Sequence, residues 1–245
     1  MQRSEVELTR ADRVATVVVP GGMLSRRAAI ELEDALGELA EDDSDQVRVI
    51  VLRAAEGDFC TGPAADLRAD TSGLDPPSRL MASRRPVVAG IAGACRSVGM
   101  AIALAADIRI VAPTARFALP EISEGALPAW NAAWLTARVV GPSRATPIVL
   151  LGSEVGGREA VDMGLAHESA TDPGARAAEV AHLLAGRGPL ALEYAKEAVW
   201  RGAGLPLGDA LRLEADFNHL LQASSDRDEG LAAFFAKRDP RFTGR

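Results

Sequence analysis

Apolar and polar positions along this chain alternate with two periods. Val14–Pro20 ("VATVVVP") and Val47–Ala54 ("VRVIVLRA") are short runs rich in β-branched residues and predict strands. Between them, Ser25–Asp42 ("SRRAAIELEDALGELAED") repeats its apolar positions at helical spacing. Ser25 suits the N-cap of that helix, while Ala28 three residues on leaves no capping box. Arg85–Gly93 reads as a third buried strand, Met100–Asp107 as an apolar helix and Ile108–Pro113 as a returning strand. Strand, helix and strand in repetition predict an α/β fold with right-handed crossovers. Asp70–Ser83 ("DTSGLDPPSRLMAS") is rich in Pro, Gly and Ser and predicts a mobile surface segment. From Pro128 onward the period is mainly helical, and Pro206–Phe235 reads as a closing helix.

Composition narrows the class. The 245 residues are 48% hydrophobic and 25% charged, which suits one globular domain, and 4% aromatics make the core aliphatic. A net charge of −7 excludes nucleic acid as the main partner but leaves room for a small anionic ligand. The N-terminus has no apolar signal segment, and no apolar run reaches roughly 18 residues, so neither secretion nor a membrane span is expected. Cys60 and Cys95 form no disulfide framework, so a cytoplasmic location is the expectation. His167, His182 and His219 are scattered, so no metal is expected.

Candidate chemistry begins at Gly93–Ile110 ("GACRSVGMAIALAADIRI"), a Gly-bearing turn that opens onto an apolar helix. Such a turn can present backbone N–H groups to a ligand oxygen. Together with "GDFCTGPAADL", "FALPEISEGALP", "VVGPSRATPIVLLGSEVGGREAVDMGLAHE" and the ending "EGLAAFFAKRDPRFTGR", it resembles the crotonase (enoyl-CoA hydratase/isomerase) family over nearly the whole chain. The resemblance implies a spiral of β-β-α turns, with a core over residues 1–190 and a helical C-terminal region over 191–245 that makes trimer contacts. It implies an acyl-CoA thioester as substrate, with coenzyme A entering as part of that substrate and no permanently bound cofactor. A homotrimer, or a dimer of trimers, is the implied assembly.

The family holds the thioester oxygen with two backbone N–H groups that stabilise an enolate. By matched spacing, Val98 supplies one, although the turn carries Arg96, Ser97 and Val98 where glycine would sit more comfortably. The other falls in Gly62–Asp66, two residues longer here than in the family. Pro63 has no N–H, which leaves Ala65, with Ala64 as the alternative. Asp66 reads as structural. Of the two glutamates associated with hydration, one position is Ala101 and the other is Glu121, whose burial would favour a general base. Glu124 is expected to be solvated or ion-paired.

Further candidates for substrate contact are Met23 and Leu24 near the adenine end, and Phe234 and Lys237 near the C-terminus. Trp130 is another, spaced four residues from Trp134 on an expected helical face. Arg96 either meets a substrate carboxylate or CoA phosphate, or pairs with a nearby acid. One retained glutamate suits enoyl-CoA isomerisation. A hydratase with a degenerate site, a non-catalytic acyl-CoA-binding protein and a specialised lyase or decarboxylase are the alternatives.

Overall fold

The alternation of periods becomes a spiral in the computed structural model, which describes residues 4–42 and 46–245. In chain order the first elements are β1 (Glu7–Ala11), β2 (Val14–Val19), β3 (Met23–Leu24), α1 (Arg26–Glu41), β4 (Val49–Ala54) and β5 (Gly62–Pro63). They continue as α2 (Ala65–Ala69), α3 (Pro76–Ala82), β6 (Val87–Ile91), β7 (Ala94–Arg96), α4 (Val98–Leu104), β8 (Ile108–Val111) and β9 (Arg116–Ala118). A 3-10 turn, Pro120–Glu124, leads to α5 (Ala132–Val140), α6 (Pro142–Leu150), β10 (Val155–Gly156), α7 (Gly157–Asp162) and β11 (Glu168–Ser169). Four helices close the chain: α8 (Pro173–Ala185), α9 (Pro189–Gly202), α10 (Leu207–Gln222) and α11 (Ser225–Ala236).

Each turn of the spiral gives one strand to a large sheet, one short strand to a smaller sheet, and then helix. The large sheet has the order β1-β2-β4-β6-β8-β11, and the smaller ones are β10-β9-β7 and β3-β5. The β1–β2 pair is antiparallel; the remaining neighbours in the large sheet run parallel. Both faces of β4 are covered, which explains a strand with no polar face. Ile50 and Leu52 enter the main core with Leu32, Leu80 and Met100. Val49 and Val51 turn to the other side, where Ala177, Ala181 and Ala185 of α8 cover them. Gly90 permits that approach, because a Cβ there would lie 2.6 Å from the Pro173 carbonyl oxygen.

Ser25 caps α1 as expected, its hydroxyl accepting the Ala28 N–H at 2.9 Å. Two expectations are corrected. Asp70–Ser83 contains α3, capped by Asp75, which accepts the Ser78 N–H at 3.2 Å. Its prolines occupy the first helical positions, where a missing N–H costs nothing, and Leu80 anchors it in the core. The closing segment is two helices, because α10 ends at Gln222 and Ser224 caps α11 afresh.

The C-terminal region touches the core at a few polar points. Lys196 on α9 is buried, with Nζ 2.9 Å from Asp107 and donating to the carbonyls of Leu80 and Arg85 at 3.1 and 3.0 Å. Trp200 Nε1 donates to the same Asp107 at 2.7 Å. The last residues fold back on α11, where Asp226 accepts the N–H groups of Thr243 and Gly244 at 2.6 and 2.9 Å.

Candidate active site

Two helices begin where two neighbouring chain segments end. Residues 59–62 run beside β7: Phe59 and Cys60 donate to the carbonyls of Ala92 and Ala94 at 2.9 Å, and Arg96 donates back to Cys60 at 2.8 Å. Asp58 holds this alignment by accepting the Ala94 N–H at 2.6 Å. Beyond it, one segment passes through β5 into α2 and the other through Ser97 into α4. Ala65 and Val98 are the first residues of these helices. An N–H at that position has no acceptor within its own helix.

The local backbone separates the two alanines. Ala64 donates its N–H to the Leu24 carbonyl at 2.8 Å, within the β3–β5 junction. Ala65 follows at the helix start, after a residue with no capping side chain. Asp66 is structural, accepting the Leu67 N–H at 2.8 Å and the Arg26 N–H at 3.1 Å, which ties α2 to the start of α1.

Ser97 holds the α4 turn at φ 55°, ψ −126°, a conformation costly for a residue with a Cβ. Its N–H donates to Ala118 at 3.0 Å, and its carbonyl accepts from Met100 and Ala101. Gly99 has no room for a side chain: a Cβ would lie 2.3 Å from that of Cys60. Both cysteines are buried and free, and burial raises both thiols above their ordinary pKa. Ala101, at the expected first glutamate position, is fully buried in α4.

Glu121 follows β9 on the 3-10 turn. Both its carboxylate oxygens are buried without a hydrogen-bond partner. Among the described residues, the other buried side-chain nitrogen or oxygen atoms in that condition are Arg96 Nε and Trp130 Nε1. Buried polar groups are nearly always satisfied, so orphans mark strain or a ligand site. All three residues were picked out from sequence.

The remaining candidates divide. Glu124 is an exposed ion-pair partner of Arg68. Arg96 pairs through Nη2 with Glu154, which also lies 3.5 Å from Arg116 Nε. Glu154 was missed in the sequence; it is 58 positions from Arg96, and strand pairing alone brings it across β9. Leu24 is buried, so its side chain belongs to the core and its carbonyl to the junction; Met23 beside it is exposed. Phe234 and Lys237, at the end of α11, are both exposed.

The shared helical face of the two tryptophans is corrected. Trp130 lies before α5, is buried, and sits at φ 52°, followed by Asn131 at φ 59°. Trp134 is exposed, with the Arg138 guanidinium 5.8 Å from its ring centroid.

Among the described residues, no three His, Cys, Asp or Glu side chains gather as a metal site, and no helix is long and apolar enough to cross a membrane.

Comparison with known proteins places this geometry. A family model for enoyl-CoA hydratase/isomerase matches residues 22–245. The chain is 31% identical to a 1,2-epoxyphenylacetyl-CoA isomerase of Escherichia coli K12, over 88% of this chain and 87% of that protein. It is also 31% identical to a 2,3-dehydroadipyl-CoA hydratase of the same strain, over 99% and 100%. The crystal structure of an enoyl-CoA hydratase from Bacillus anthracis superposes with a TM-score of 0.90 at 26% identity, covering 98% of this chain and all of the other. A β-β-α spiral, matched along nearly its full length, makes this chain a member of the crotonase, or enoyl-CoA hydratase/isomerase, family.

Proposed function

We propose that this protein is a single-base crotonase that isomerises enoyl-CoA thioesters. The observation that carries the reading is Glu121: a carboxylate whose two oxygens are buried and take no hydrogen bond from the protein. A base that must accept and return a proton needs a free oxygen. Where hydration would require a second carboxylate, the chain has Ala101 inside α4.

In this reading the N–H groups of Ala65 and Val98 hold the thioester oxygen. Ala64 is not the donor, since its N–H is already bonded to Leu24. Glu121 takes a proton from C2 of a 3-enoyl thioester. The electron pair moves onto the thioester oxygen, where fixed donors stabilise the charge without reorganising. The same carboxyl group returns the proton at C4, and the double bond moves to C2–C3. Phe234 and Lys237 would contact coenzyme A from a neighbouring copy in a trimer or a dimer of trimers, with Met23 at the adenine end. The exposed apolar residues Leu207, Leu211 and Leu220 of α10 support such an assembly.

The test follows a 3-enoyl-CoA in D₂O by NMR. Native protein should form the 2-enoyl ester, and Glu121→Gln should be slower by about 10²–10⁴. A 3-hydroxyacyl product would make it a hydratase despite Ala101. An ester that binds without exchange or conversion would leave a binding protein.

A further inference from the structure

Trp130 combines three features that a hydrocarbon enoyl chain does not explain. It is a large side chain at positive φ, followed by a second non-glycine residue at positive φ. It is 8% exposed. Its indole N–H is buried without an acceptor. Strained backbone and orphaned donors persist where function requires them. Trp130 also shares one connection, between β9 and α5, with Glu121. That connection leaves β9 where Ala118 accepts the Ser97 N–H, and it ends at α5, which packs on α4. Glu121 acts at C2–C4 of the acyl chain, so the ligand part nearest this connection is the acyl group.

We propose that Trp130 is a specificity-determining residue, its indole N–H binding an oxygen carried by the acyl group beyond the thioester carbonyl. The substrate is then an oxygen-bearing acyl-CoA: a keto-, hydroxy- or carboxyacyl ester. This rests on the acyl-CoA reading above. Arg96 agrees with it: among the described residues its Nε–H is the other buried side-chain donor without a partner. A hydrocarbon chain would leave these donors unpaired, and sites built around a polar group reject analogues that lack it.

The experiment measures binding of saturated esters, which do not react. Hexanoyl-CoA is compared with 5-oxo- and 6-hydroxyhexanoyl-CoA and with adipyl-CoA, by calorimetry. At least one oxygen-bearing ester should bind native protein about tenfold or more tightly than hexanoyl-CoA. Trp130→Phe should bring that ratio to within about threefold. The Trp130 indole ¹H–¹⁵N resonance of the native protein should shift downfield with the preferred ester and not with hexanoyl-CoA, which decides the matter even if the variant folds poorly. Equal affinity across the set, or a ratio intact in Trp130→Phe, overturns the inference while Glu121-dependent turnover stands. Failure of every ester to bind overturns the acyl-CoA reading itself.

Discussion

Asp107 and Glu121 are carboxylates of the same stretch of chain, one entering β8 and one leaving β9, and they are used in opposite ways. Asp107 accepts from Lys196 and Trp200 on α9 and from the Val87 N–H at 2.7 Å. The Glu121 carboxylate accepts no hydrogen bond, although both its oxygens are buried. A buried carboxylate that is fully hydrogen-bonded holds elements together; one left bare is held ready for something that arrives. The contrast separates the dock for the C-terminal helices from the candidate active site, within a single turn of the spiral.

Substitutions at the two carboxylates should separate activity from stability. The largest effect is at Glu121: Glu121→Gln should lower turnover by about 10²–10⁴, with the melting temperature unchanged or raised. Asp107→Ala should do the reverse. It strands the Lys196 charge, whose side chain is 6% exposed, and should cost about 3–5 kcal/mol in urea unfolding, with turnover per folded molecule retained. If Asp107→Ala abolished turnover at full stability, or Glu121→Gln unfolded the chain, the distinction would be lost.

Gly99→Ala lies between these extremes. The added Cβ meets Cys60 at 2.3 Å and should cost about 1–3 kcal/mol, while displacing the Val98 N–H and lowering turnover as well. A variant altered in stability alone would detach Val98 from the reaction.

Glu31 gives the smallest effect and a third way to use a carboxylate. Burial would raise its pKa, but the N–H groups of Val6 and Glu5, the Ser4 hydroxyl and Arg27 outweigh that and hold it at about 2. The unfolded chain takes up this proton near 4.5, before the folded one does. Stability from Glu31 is therefore complete above that value and lost as pH falls toward 2. Glu31→Gln should flatten the acid limb of stability between those values and leave turnover at neutral pH alone.

How much of this was legible before folding depended on the range of the interaction. Ser25 was recognisable as a cap because its partner is three residues away. The buried strands were recognisable because Val49–Leu52 alternate between two covered faces. Pro76 and Pro77 misled: a proline breaks a helix interior but suits its first turn, and Asp75 makes that start. Position 121 was found through its motif. That Glu124 is ion-paired agrees with its register in the motif; that its partner is Arg68, 56 positions away, and that neither oxygen of the Glu121 carboxylate is hydrogen-bonded, was not readable, because both follow β9 in nearly the same local setting.

The sequence by itself determined the alternation of strand and helix, the Ser25 cap, an alanine at position 101 and the family motifs, because each depends on residue type or on neighbours within a few positions. Tertiary structure decided what meets across the spiral. It committed the Ala64 N–H to Leu24, set Glu154 against Arg96, buried Trp130 with its N–H unused and turned Trp134 to the surface. These outcomes depend on strand register and packing between segments tens of residues apart, and hydrogen-bond satisfaction in a protein interior is settled only when those segments come together.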